Sequence, residues 1–146
     1  MKKETFKKLH YELWDRIAEY FDNGGGYLYD GLNTLKDDII FQMEEEEKLN
    51  NLTTQERIVS ECYGCFACGH ARLHDDSSCR KCPLKWPGGH PTKKFDDPPM
   101  CENKESPYAF IFDDLYYRDD NHDWGKLAEL ARRVRDLPVI DEVFDD

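Results

Sequence analysis

The sequence predicts a mainly helical chain built around a small irregular zinc-binding module of the ribbon or knuckle kind, with little or no β structure. Three observations lead there. Apolar residues recur at three- and four-residue steps over 3–22, 27–50 and 123–136. All six cysteines fall between Cys62 and Cys101. Between Gly69 and Ser106 glycines and prolines are too frequent for a long regular element. The spacing divides the 146 residues into an N-terminal helical segment, 1–61, a cysteine-rich metal-binding module, 62–106, and a C-terminal helical segment, 107–146, packed on the first.

The first helix places Phe6, Leu9, Leu13, Ile17 and Tyr20 on one face, with Trp14 and Phe21 widening the stripe. Asp22-Asn23-Gly24-Gly25-Gly26 stops it, because glycine loses the most backbone freedom in a helix. The glycine run lacks the preceding strand and the following Gly-Lys-Ser/Thr of a phosphate loop, so it reads as a turn. In the second helix Leu28, Leu32, Leu35, Ile39 and Met43 form the apolar line. Glu44, Glu45, Glu46 and Glu47 sit near its C-terminal end, where the helix dipole disfavours negative charge, so a basic partner is one use for them. Thr53-Thr54-Gln55-Glu56 is a capping-box signature for a short third helix that delivers Cys62.

The cysteines run Cys62-x-x-Cys65-x-x-Cys68, then Cys79-x-x-Cys82-Pro83, then Cys101. Two C-x-x-C turns across a short loop present four thiolates to one Zn²⁺. Cys62, Cys65, Cys79 and Cys82 are the first choice of ligands, with Cys68 and Cys101 as further candidates. A [4Fe-4S] cluster is the less well matched alternative. The C-x-x-C-x-x-C triplet and the Cys82-Pro83 step occur in iron–sulfur runs, but ten residues separate Cys68 from Cys79 where about three are usual. Disulfides would go with a secretion signal, and Met1-Lys2-Lys3-Glu4 opens no apolar stretch. Thioredoxin-like chemistry would need a βαβ unit around its C-x-x-C. His70, His74 and His90 could stand in for a cysteine but read as loop histidines.

Past the module, Pro107 opens the most aromatic stretch, Tyr108 to Tyr117, whose period fits either a short buried helix or a strand. The last helix carries Trp124, Leu127, Ala131 and Val134 on one side and Arg132, Arg133 and Arg135 at its end, and Leu137-Pro138 terminates it. The acidic tail from Ile140 to Asp146 reads as frayed.

The formal charge is −11, split as 8 basic against 14 acidic residues over 1–61, 7 against 5 over 62–104, and 5 against 12 over 105–146. Such a chain repels a phosphate backbone as a whole. No apolar run reaches the ~18 residues of a membrane span, and a cytoplasmic location is expected. No catalytic constellation is visible. Asp113-Asp114 and Asp119-Asp120 are sequence neighbours that point different ways within one element, and the zinc-deaminase signature is absent.

Cys62-x-x-Cys65, Cys79-x-x-Cys82-Pro83-Leu84 with Trp86 behind it, Cys101, the aromatic stretch and the closing Leu137-Pro138-Val139 together resemble small cysteine-rich proteins of phages and prophages of Gram-positive bacteria. The likeness covers about residues 61–140. It implies a structural metal on Cys62, Cys65, Cys79 and Cys82, with Cys101 as a candidate, a phage context and no reaction. The expected function is therefore that of a non-enzymatic, zinc-stabilised acidic protein in the host cytoplasm. It would inhibit a host defence protein or a basic nucleic-acid-binding enzyme, by mimicry of DNA, through Glu44 to Glu47, Asp113, Asp114, Asp119 and Asp120. The alternative is a zinc-ribbon-like accessory protein contacting nucleic acid directly through Arg72, Arg80, Lys81, Lys85, Lys93 and Lys94.

Overall fold

The computed structural model describes residues 1–25, 31–74, 82–88, 100–117 and 121–144. Among them six α-helices run in the order α1 (Lys3–Asp22), α2 (Leu32–Glu45), α3 (Thr54–Tyr63), α4 (Phe66–His74), α5 (Pro107–Tyr117) and α6 (Trp124–Arg135). Two 3₁₀ turns, Met100–Glu102 and Asp141–Val143, complete the set.

The apolar stripe of α1 is the axis of the core. Phe6, Leu9, Leu13, Trp14, Ile17 and Phe21 are all buried, and their principal neighbour is α6, through Leu127, Ala128, Ala131 and Val134. Ion pairs close the same interface at its edge, with Arg135 meeting Asp15 at 2.8 Å and Arg132 meeting Asp22. α2 adds Leu35, Ile39, Ile40 and Met43, so one continuous core draws on all three stretches of the chain.

Several local expectations meet their physical outcome here. The Thr53 hydroxyl accepts from Glu56 N–H at 3.1 Å while the Glu56 carboxylate accepts from Thr53 N–H at 2.8 Å, the reciprocal box read from the sequence. The aromatic stretch resolves as a helix. Ser106 caps it by accepting from Tyr108 N–H at 3.1 Å, and Pro107, with no amide hydrogen to lose, takes its first position.

Two expectations are corrected. The irregular region does not begin at Gly69, because α4 continues to His74. Gly69 lies inside that helix under α3, where an added Cβ would come within 2.1 Å of Ser60 Oγ; it is glycine for close approach and not for a turn. The tail is also held rather than frayed as far as Phe144, whose buried ring packs 4.5 Å from His70 and 5.7 Å from Phe6. Three apolar residues, Val139, Val143 and Phe144, outweigh the surrounding acids there.

The expectation of little β structure holds among the described residues. A single antiparallel bridge joins Leu84 to Val139, with Lys85 N–H donating to the Pro138 carbonyl at 2.9 Å and Ile140 N–H to the Pro83 carbonyl at 2.7 Å. That bridge fastens the stretch 82–88 to the chain just beyond α6. No helix among the described residues is long and apolar enough to cross a membrane.

Candidate metal centre

Four cysteines reach one place from three parts of the chain. α3 ends at Gly64, which adopts the left-handed conformation at φ 59, and the chain turns directly into α4. That turn puts Cys65 just ahead of α4 and Cys68 in its first turn, where helix amides point outward. Cys82 arrives on the bridged stretch before Pro83, and Cys101 on the 3₁₀ turn before α5. Cys65, Cys68, Cys82 and Cys101 line a single cavity of about 210 Å³. Its wall also includes Trp14 of α1, Lys36 of α2, Leu84 and Trp86 of the bridged stretch, and Tyr108 of α5.

The electrostatics of the wall are unusual. Lys36 is only 3 % exposed, and its Nζ donates to Tyr108 Oη at 2.6 Å and stands 4.6 Å from the centre of that ring. No carboxylate among the described residues pairs with it. Burial by itself would push this ammonium toward the neutral form, yet Tyr108, Cys65 and Cys68 outweigh burial and its pKa is raised. The Cys65 thiol is drawn down to about 6, first by the hydrogen bond from Cys68, with Lys36 and the amides of Cys68 and Ala67 acting against burial. Cys68 moves up, as the member of the pair that keeps its proton.

The first-choice ligand set is therefore brought together only in part. Cys65 and Cys82 line the cavity. Cys62 lies in the last turn of α3, exposed and outside the cavity wall, so the cavity does not bring it together with Cys65. Cys68 and Cys101, secondary candidates from the sequence, are on the wall, and Cys79 lies outside the described residues. No disulfide joins any two of the five described cysteines. Among the described residues no three His, Cys, Asp or Glu side chains form a group that would hold one metal ion as they stand. A tetrahedral zinc with Zn–S bonds of ~2.3 Å needs its sulfurs about 3.8 Å apart. The zinc-binding module expected from the sequence is thus not shown among the described residues.

What fits a metal-bearing group is the donor set itself. Four thiols face one space, and a buried cation stands beside them to offset the negative charge that thiolate ligands bring. Lys36 was missed by the sequence reading although a signal existed, since it falls four residues after Leu32 and four before Ile40, inside the apolar stripe. Of the histidines considered as substitutes, His70 is buried with Nε2 2.8 Å from the Val143 carbonyl, away from the cavity wall. His90 lies outside the described residues.

The acidic residues separate into different environments. Arg16 holds Glu46 through two 2.8 Å hydrogen bonds, and Glu44 pairs with Arg57 at 3.9 Å. Glu45, Glu47 and Asp113 are exposed. Asp114 is buried and bonded to His122 Nδ1 at 2.6 Å, which fixes the approach to α6 rather than offering a contact surface. Asp119 and Asp120 lie outside the described residues, as do Arg80, Lys81, Lys93 and Lys94. Of the basic residues proposed to touch nucleic acid, Arg72 is on the cavity wall and Lys85 is exposed. No family model, curated protein or solved structure matches the chain.

Proposed function

We propose that this chain is a non-enzymatic acidic binding protein whose middle section is pinned to a helical body by a metal-bearing centre on Cys65, Cys68, Cys82 and Cys101. The observation that carries the reading is the convergence of four cysteines on one cavity beside the buried Lys36, which pairs with no carboxylate among the described residues. A metal–thiolate group there would join α4, the stretch 82–88 and the turn before α5, three pieces well separated in sequence.

The partner is a protein with a basic face, of the kind that handles nucleic acid in a host cell, in keeping with the phage context that the cysteine pattern suggests. The net charge of −11 favours such a partner and disfavours nucleic acid itself. On α2, Phe41 is 60 % exposed and shares a face with Glu44 and Glu45 one turn on, an apolar side chain beside carboxylates. The test is a binding series against purified basic nucleic-acid-handling proteins of the host, run across rising salt, with a gel shift on DNA and RNA in parallel. Salt-sensitive protein binding that Phe41→Ala with Glu45→Gln weakens supports the reading. Retention of DNA or RNA by the chain at low salt overturns it in favour of direct nucleic-acid contact.

A further inference from the structure

We infer that Cys65 and Cys68 are a reversible dithiol–disulfide couple, closed by a hydroperoxide that enters the cavity and reopened by a dithiol. The couple goes beyond the metal reading above, and only the loss of metal that follows its closure rests on that reading. Cys65 is the residue just before α4, and its carbonyl accepts from Gly69 N–H at 2.9 Å, which marks it as the N-cap. Cys68 is the third residue of the helix. Side chains at these two positions meet across the first turn, as those of Thr53 and Glu56 do at the start of α3. The Cys68 thiol donates to Cys65 Sγ, and the amides of Ala67 and Cys68 donate to the same sulfur. A disulfide needs Cα atoms about 4.4–6.8 Å apart, and residues three apart on an α-helix stand about 5 Å apart. Both cysteines are half-buried and line the cavity, so a small oxidant reaches them there.

The pairing is set by contact. Cys82 and Cys101 reach the cavity on separate segments, and Cys62 lies outside its wall. No step of the couple requires or excludes Cys79 as a metal ligand. The sequence argues against dithiol chemistry for want of a βαβ unit, but the part of such a unit that the reaction uses is the helix start, and α4 supplies it. With three donors aimed at it, Cys65 is the attacking sulfur and Cys68 the resolving thiol. The Cys65 thiol gives its proton to solvent, and its sulfur attacks one oxygen of the hydroperoxide. The O–O bond breaks, a sulfenic acid forms on Cys65, and the leaving oxygen takes the Cys68 proton. The Cys68 sulfur then attacks Cys65 Sγ, the S–S bond forms, and the departing hydroxide takes a proton from solvent. Two electrons pass from the sulfur pair to the oxidant, and hydrogen peroxide ends as two waters. The ring so closed ties residues already held in one turn, so the helical body stays folded. A disulfide sulfur is not a thiolate ligand, so oxidation takes Cys65 and Cys68 from the proposed centre and breaks the metal link between α4 and the other two arms.

The experiment isolates the full chain under nitrogen, measures its metal content, and exposes samples with and without a chelator to one equivalent of hydrogen peroxide. Remaining thiols are blocked with N-ethylmaleimide, the chain is reduced with dithiothreitol, and the thiols so released are labelled with iodoacetamide. Chymotrypsin cuts after Tyr63 and Phe66, which places Cys62, Cys65 and Cys68 on different fragments. The expected result is loss of two of the six thiols, label on Cys65 and Cys68, release of metal on oxidation, and return of all six thiols with dithiothreitol. Cys68→Ser should stop at the sulfenic acid, trapped on Cys65 by dimedone, whereas Cys62→Ser and Cys79→Ser should still lose two thiols. Far-UV circular dichroism checks the fold of each variant, and the label map of the wild type needs no variant. Six intact thiols in the chelated chain, or label on any other pair, overturn the couple, while the measured metal content judges the centre separately. A chain isolated without metal that forms the Cys65–Cys68 disulfide supports the couple and overturns the centre. Label on Cys65 and Cys68 with all metal retained supports the couple and overturns these two as metal ligands.

Discussion

His10 gives the chain a built-in sensitivity to acid that can be sized from its surroundings. It lies on the buried face of α1, 4 % exposed, stacked 5.5 Å from the Phe6 ring, with Nε2 2.9 Å from the Val134 carbonyl across the α1–α6 interface. Burial lowers its pKa to about 4, and the carbonyls of Val134 and Arg135 and the charge of Asp136 only partly oppose that. The folded state therefore prefers neutral imidazole, whereas the unfolded chain takes up a proton near pH 6.5. The stabilisation is complete above pH 6.5 and is lost as pH falls toward 4. A gap of about 2.5 units at 1.36 kcal/mol each puts the loss near 3 kcal/mol by pH 4. Acid also strips metal from thiolates, so the wild-type curve alone does not isolate the histidine. His10→Gln keeps a donor for Val134 and cannot titrate. Urea unfolding of both proteins at pH 7.5 and pH 4 gives the difference directly, and the wild type should lose about 3 kcal/mol more than the variant. Parallel losses in the two proteins would refute the reasoning.

Other perturbations follow from single contacts. Thr53→Ala removes the acceptor for Glu56 N–H and should destabilise by about 1 kcal/mol in a denaturant melt; an unchanged midpoint contradicts the capping role. Gly69→Ala drives a methyl onto Ser60, whose Oγ and Cα would lie 2.1 and 3.1 Å away. The α3–α4 pair should lose about 2 kcal/mol, and a melting temperature equal to that of the wild type would show that the two helices part without cost. Lys36→Met withdraws the only buried cation on the cavity wall among the described residues, so metal content after isolation should fall severalfold, with Lys36→Arg retaining more. Equal metal content in all three proteins would remove Lys36 from the account.

How much of this was readable beforehand depended on whether the cause was local. The α1 stripe from Phe6 to Phe21 and the Thr53–Glu56 box act within one helix, and periodicity or a four-residue motif suffices to find them. α4 was not legible, because Gly64 and Gly69 look alike in sequence. Gly64 ends a helix with positive φ, while Gly69 sits inside one for contact with Ser60. Tyr108 to Tyr117 was ambiguous because ten mostly apolar residues carry little period, and packing against α6 decided it. The spacing of the cysteines suggests a metal-type donor set, but which of them line the cavity is set by tertiary structure. Cys62 and Cys65 are three apart, as are Cys65 and Cys68, and only the turn at Gly64 separates the member that faces solvent from those that face the cavity.

The small bridge between Leu84 and Val139 fixes an order of events in biosynthesis. The backbone partners that hold the Cys82 stretch in place, the Pro138 carbonyl and the Ile140 amide, are translated more than fifty residues later. While those residues are still inside the ribosome, the stretch around Cys82 lacks the backbone partners of its bridge. The α3–α4 pair can already be wound by then, since its two helices pack on each other, whereas α1 still waits for its principal neighbour, α6. The stretch 82–88 is fastened through its backbone only once the residues beyond α6 have emerged, so its docking is a late step that follows synthesis of nearly everything else.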